Sequence, residues 1–566
     1  MISPMRFSFR SRPAKSWLLM ASLLFANTVF AKKNVLLILI DNQSYHELGC
    51  HGHELIKTPN IDKLAKESVD FTNFHAPPYC SPSRGLLLTG RYALRLGIHN
   101  TVGGVSILHK DETTIADRLG KAGYATGIFG KWHLGMSYPY QPRHRGFQET
   151  FIHGGGGIGQ LEDYFGNNHI DATYWANGKV VNTEGYSTDI LFSQARKFID
   201  KNKEKPFFCF VSTPATHKPW QSHPEVAKRI TARGTQDKTL PLLSMVENID
   251  GNVGSILKHL DETGLRDNTL VILASDQGMT NRGAPENSAE NPPSKSFDSR
   301  HHVYCMMRFP SLTKKPGRND AIAGMVDMAP TILDLCGLPL PENFDGRSLK
   351  PLLRGAPRWE DDRSLIVQCP RGRERKKWHN TTVKTQRWRL VGGDKLYDLE
   401  NEDAEVSAQH PDVLKKLNAS YEKFWTSLPP ADDILSRHIL GVEDTRLNGM
   451  DWYQGGSPWN TSHFKRLSSG VWAVEVVKEG RYRFEFSHYP READKAIGAT
   501  QLVVNLGKFK IGTDLQKDDK HAVIELDLKP GRYDLEATFS NDKDKWGTYF
   551  AYVRWRKRNH ERGPLL

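Results

Sequence analysis

The chain has 566 residues, 38% hydrophobic and 25% charged, a balance that excludes a disordered or fibrous protein and leaves enough apolar residue for more than one core. Its formal charge is +12, of which four positive residues (Arg6, Arg10, Arg12, Lys15) precede position 32 and leave +8 beyond it. That modest excess suits a polyanionic substrate and equally an ordinary solvated basic surface, and without any nucleic-acid-binding motif it gives no reason to expect nucleic acid as a partner.

The basic start runs into an apolar stretch over 17–30 that ends Val29-Phe30-Ala31 before Lys32-Lys33. This is the pattern of a secretory signal peptide over 1–31, cleaved after Ala31, and it predicts an exported protein, periplasmic or secreted. No later stretch is long and apolar enough for a membrane span. The six cysteines (50, 80, 209, 305, 336, 369) are irregularly spaced and do not read as a disulfide framework.

Residues 34–40 form a continuous apolar, β-rich run, the signature of a parallel strand buried on both faces. It ends in Asp41-Asn42, two hard oxygen donors suited to calcium or magnesium at the carboxyl edge of a sheet. A short helix follows over 61–67. The stretch Cys80-Ser81-Pro82-Ser83-Arg84, then Leu86-Leu87-Leu88 and Thr89-Gly90-Arg91, reads as a loop entering a helix. Read alone, it places a cysteine at a positive, anion-attracting helix start and supports only a reactive thiol. An amphipathic helix over 113–122 leads to a short strand and Lys131-Trp132-His133. A lysine and a histidine two apart on extended chain point the same way.

Residues 138–165 look loop-like around Gly154-Gly155-Gly156-Gly157. Arg143, His144 and Arg145 there read as a solvated charge run or as contacts for a further anion. After a helix over 189–202, a strand over 206–212 precedes Thr216-His217-Lys218-Pro219, and a strand over 269–275 ends in Asp276-Gln277. A smaller antiparallel unit with a terminal helix is expected over 364–428, a polar linker over 429–469, and alternating strands of a β-sandwich module over 470–566.

Cys-x-Pro-Ser-Arg with its leucine run and Thr-Gly-Arg resembles the signature of type I, formylglycine-dependent sulfatases. Lys131-Trp132-His133, the strand before His217, and Asp276 match that family's later landmarks in order. The resemblance covers about 32–428 and implies an alkaline-phosphatase-like α/β/α sandwich over 32–363 with a central, mostly parallel sheet. It implies conversion of Cys80 to formylglycine (3-oxoalanine) by a maturation enzyme, with a diol hydroxyl attacking the sulfur of a sulfate ester. Arg84, Lys131 and Lys295 would neutralise the sulfuryl oxygens, His133 would act as base and His217 as proton donor. Asp41, Asn42, Asp276, Gln277 and the side chain at Cys80 would hold one metal ion.

Asn42 and Gln277 depart from the family's usual residues but keep a side-chain oxygen, and such a mixed set favours calcium over magnesium. A sulfated polysaccharide or its oligosaccharides, such as algal ulvan or carrageenan, is the expected substrate. A phosphodiesterase or phosphonate hydrolase of the same superfamily, or a glycan-binding homologue without activity, are the rival readings.

Overall fold

A computed structural model describes residues 32–279, 300–313, 315–372, 374–401 and 404–557. The expected signal segment and Lys295 lie outside the described residues. The 34–40 run forms β1 (Asn34–Ile40), buried at every position. Val35, Leu37 and Leu39 pack into one hydrophobic core while Leu36, Ile38 and Ile40 pack into another. Both faces are covered, and for that reason the strand is apolar throughout instead of alternating.

Ten further strands complete this sheet: β2 (Val69–His75), β3 (Ala125–Lys131), β4 (Glu149–His153), β5 (Thr173–Ala176), β6 (Lys179–Asn182), β7 (Phe207–Ser212), β8 (Thr269–Ser275), β9 (His302–Arg308), β10 (Gly317–Asn319) and β11 (Ala323–Gly324). Their order is β10-β2-β9-β8-β1-β7-β3-β4-β5-β6, with β11 beside β2. The centre, β8-β1-β7-β3-β4, is parallel, and antiparallel pairs flank it at β8–β9 and β4–β5. On one face lie α1 (Pro59–Glu67), α4 (Ser187–Asn202) and α5 (Leu240–Glu262). On the other lie α2 (Cys80–Thr89), α3 (Ile115–Lys121) and α6 (Met328–Leu335). Helix α3 starts on a capping box between Thr114 and Asp117, which satisfies two amides the first turn would otherwise leave unpaired.

A five-stranded antiparallel sheet over 365–405 follows, packed against α7 (Pro411–Thr426) through Leu417, Tyr421 and Phe424. The remainder forms a seven-stranded and a four-stranded sheet that enclose a third core around Trp452, Trp472, Tyr482, Phe484 and Phe539.

Three expectations need correction. Residues 429–469 are not a free linker. His438–Leu440 pairs with Gly470–Val476, Thr445–Asn448 with Phe550–Arg556, and Gln454–Gly455 again with Gly470–Val476. These strands are too short to show an alternating pattern, so only their partners define them. Nor is 138–165 all loop, because β4 lies within it and pairs with β3. Arg143 and His144 there both pair with Glu443 of the C-terminal sandwich. Arg145 is buried and donates to the Lys110, His109 and Glu112 carbonyls. The basic triplet ties parts of the fold together. Among the described residues no helix is long and apolar enough to cross a membrane.

Candidate active site

Parallel neighbours release their chains at the same edge, and this gathers the site. Ile40 is in register with Ser275, so Asp41 and Asp276 emerge side by side. The Asn42 amide donates to Asp276 Oδ1 at 3.2 Å. β3 ends at the same edge in Lys131, whose Nζ bonds Asp41 Oδ2. After β7, the Thr216 amide donates to the Asp41 carbonyl at 2.6 Å and brings His217 alongside. Cys80 is the first residue of α2 and Arg84 lies one turn further along the same face.

Arg84 is almost wholly enclosed, 1% exposed. Its Nε and Nη2 donate to Asp276 Oδ2 at 3.1 and 2.8 Å, and its Nη1 donates to the Lys131 carbonyl at 3.0 Å and to Ser212 Oγ at 2.6 Å. Asp41 and Asp276 are each fully buried. Burial, then the neighbouring Asp41, pushes the Asp276 carboxyl up to about 6.

His133 sits two residues past β3 in a left-handed backbone conformation, φ 57°. Its Nε2 donates to the Thr101 carbonyl at 3.0 Å, and its Nδ1 faces Cys80 Sγ at 3.2 Å. A proton placed on Nε2 by that carbonyl leaves Nδ1 bare toward position 80. Burial, with Lys131 and Arg84 nearby, holds the ring neutral. Burial also raises the Cys80 thiol, so the encoded side chain stays protonated and is a weak nucleophile. His217 donates from Nδ1 to the Lys218 carbonyl at 2.6 Å, and burial pushes it down to about 4. A proton-donor role therefore requires negative charge close by, of the kind a bound sulfate ester brings.

The oxygen donors fit a hard cation. Each carboxylate commits Oδ2 to a basic side chain, which among the described residues leaves Asp41 Oδ1 buried without a partner and Asp276 Oδ1 with one backbone amide. An orphaned buried carboxylate oxygen is costly unless a cation meets it. The Asn42 and Gln277 amides bond each other across the same spot. All four residues could thus supply an oxygen to one ion.

Above this floor lies a cleft of about 550 Å³ that Cys80, Asn42, His133, His217 and Gln277 all line. Some of its residues carry no motif in the sequence. Thr101 orients His133 through a main-chain carbonyl, which any residue could provide. The glycine run is a wall: a Cβ on Gly156 would lie 2.6 Å from His133 Cε1, and one on Gly157 2.7 Å from His217 Nδ1. Four consecutive glycines were the available signal, and close approach explains them. Tyr79, Arg300, Arg371 and Trp459 also line the cleft, with Arg371 and Trp459 exposed.

A family profile described as Sulfatase matches residues 33–338, and one described as N-sulphoglucosamine sulphohydrolase, C-terminal, matches 296–423. The chain is 31% identical to human N-acetylgalactosamine-6-sulfatase over 358 residues, 56% of this chain and 65% of that one. It is 29% identical to human arylsulfatase A over 360 residues, 57% of this chain and 68% of that one. These matches span about two thirds of the relatives' length. Among solved structures, Ps i-CgsB in complex with k-i-k-neocarrahexaose superposes with a TM-score of 0.62 at 26% identity, over 70% of this chain and 94% of that one.

Proposed function

The chain belongs to the sulfatase family, and from that premise we propose that it is an exported enzyme hydrolysing sulfate esters on a sulfated polysaccharide or its oligosaccharides. The observation that carries this reading is the convergence of Asp41, Cys80, Arg84, Lys131, His133, His217 and Asp276, from five separate stretches of chain, on one cleft floor. Likeness to a structure bound to a carrageenan oligosaccharide, and to a galactosamine sulfatase, supports a carbohydrate substrate.

Asp41, Asn42, Asp276 and Gln277 would hold a calcium ion, together with the side chain at position 80. A calcium ion there would supply positive charge against the sulfuryl oxygens, and conversion of Cys80 to formylglycine would supply a hydrated aldehyde as nucleophile. The chain's own residues do the rest. Arg84 and Lys131 keep two positive charges at the floor, fixed in place before substrate arrives. His133, fixed by Thr101, is set to take a proton from the side chain at position 80. Once the negative charge of a bound sulfate ester lets its ring take up a second proton, His217 would give that proton from Nε2 to the departing alcohol, since Nδ1 is engaged with Lys218. Lys295, the remaining expected charge partner, lies outside the described residues.

Mass spectrometry of the peptide containing Cys80 tests the conversion, with an aldehyde mass in place of the thiol expected. Sulfate release from sulfated galactans and glycosaminoglycans, run beside phosphate and phosphonate monoesters, tests the reaction. Unmodified thiol together with turnover of phosphonates alone would overturn it. Chelation should abolish sulfate release and lower Tm, with calcium restoring both, because a ligand held only by the folded state at 100-fold over its Kd stabilises by about 2.7 kcal/mol.

A further inference from the structure

The C-terminal sandwich reaches into the cleft. Trp459, which neither matching family profile includes, lines it together with Cys80. Trp459 is 42% exposed although its backbone is fixed on both sides. The Leu161 amide donates to the Trp459 carbonyl at 3.1 Å, and Gln160 forms a β-bridge with Asn460. The Trp459 amide donates to His463 Nδ1 at 3.2 Å, and the two rings meet edge to face with centroids 4.3 Å apart. A large aromatic group is thus held at the rim with part of its surface open to solvent.

Arg371, from the smaller antiparallel unit, lines the same cleft. It is exposed and held in a left-handed conformation at φ 52°, unusual for a residue with a Cβ. Its guanidinium lies 4.7 Å over the Tyr79 ring and donates to Tyr79 Oη at 3.4 Å, and Arg300 donates to the same oxygen at 3.0 Å. Among the described residues no carboxylate forms an ion pair with Arg371. Two guanidinium groups thus converge on one tyrosine oxygen at the cleft.

An apolar face with convergent cationic donors is the recognition set for a saccharide ring that carries an acidic substituent. The C–H face of the ring covers the indole and its sulfate or carboxylate meets the guanidinium. Both groups stand at the rim, whereas Cys80, only 4% exposed, lies at the floor. Resting on the sulfatase reading, we propose that Trp459 and Arg371 form a second subsite, which binds an anionic sugar next to the one whose sulfate is cleaved and makes the C-terminal sandwich a determinant of specificity.

The test compares the matured, calcium-loaded full chain with Trp459→Ala, Trp459→Phe and Arg371→Gln. Substrates are sulfated galactan and glycosaminoglycan tetrasaccharides and 4-nitrophenyl sulfate. Trp459→Ala should raise KM for the best tetrasaccharide about tenfold with kcat little changed. The penalty should be at least about fivefold larger than for the aryl ester, and Trp459→Phe should recover most of it. Arg371→Gln should cost more on a multiply sulfated tetrasaccharide than on a singly sulfated one. Equal penalties on both substrate types, or turnover of the aryl ester with no tetrasaccharide accepted, overturn the subsite. If wild type releases no sulfate at all, the sulfatase reading fails instead. Calorimetric binding of the tetrasaccharides to wild type and Trp459→Ala then decides the subsite, with equal affinities overturning it.

Discussion

His133 illustrates how narrowly single contacts define the chemistry. Its tautomer follows from the Thr101 carbonyl at 3.0 Å, its neutrality from burial beside Lys131, and its position from the absence of a side chain on Gly156. A methyl group on Gly156 would overlap the imidazole at 2.6 Å. Gly156→Ala should therefore lower kcat by about 10- to 100-fold, because displacements near 1 Å in a positioned group cost that much. Tm should shift by only a few degrees, and steady-state kinetics paired with thermal melts reads both. A fall in Tm that matched the loss of activity would assign the glycine to folding instead. The clustered motifs made most floor residues legible in the sequence. Thr101 was not, because a main-chain acceptor leaves no trace in residue type.

Among elements, the loop after β4 is the junction between cleft and sandwich. Asp163 accepts from the Gly154 and Gly159 amides at 3.2 and 2.9 Å and from Asn167 at 3.1 Å, so the glycine wall has a fixed course. Beside it, Glu162 is buried and shares Asn448 Nδ2 with Asp451, at 3.4 and 3.1 Å. Burial pushes Glu162 up to about 7. The folded carboxyl keeps its proton up to that pH, whereas the unfolded one loses it near 4.5. The folded state then binds more protons across the window, so this group's contribution to stability falls as pH rises from about 4.5 to 7 and is level above. Glu162→Gln removes that loss. Its Tm relative to wild type should rise between pH 5 and 8, by the equivalent of about 1–3 kcal/mol. Melts across that range check it, and a constant difference would place the charge elsewhere.

Across the whole molecule the sandwich is built into the catalytic part. Leu161 is buried in the sandwich core, Tyr140 Oη donates to the Arg437 carbonyl at 2.6 Å, and the Gly103 amide donates to the Met450 carbonyl at 2.6 Å. The last contact anchors the loop that carries Thr101. A chain ending at 428 should therefore lose at least about tenfold in kcat/KM even on a small aryl sulfate, through a looser His133, and melt at lower temperature. Unchanged aryl sulfate kinetics would show that the loop holds its shape alone.

The sequence by itself determined the parallel sheet, through apolar runs that only two-sided burial explains, and the floor of the site, whose chemistry needs particular side chains in local motifs. Where the basic triplet points, how the short strands over 438–455 pair, and which residues rim the cleft were decided by tertiary structure alone. These depend on contacts between positions hundreds of residues apart, such as Arg143 with Glu443, and no local pattern of hydrophobicity or charge encodes the partner of such a contact.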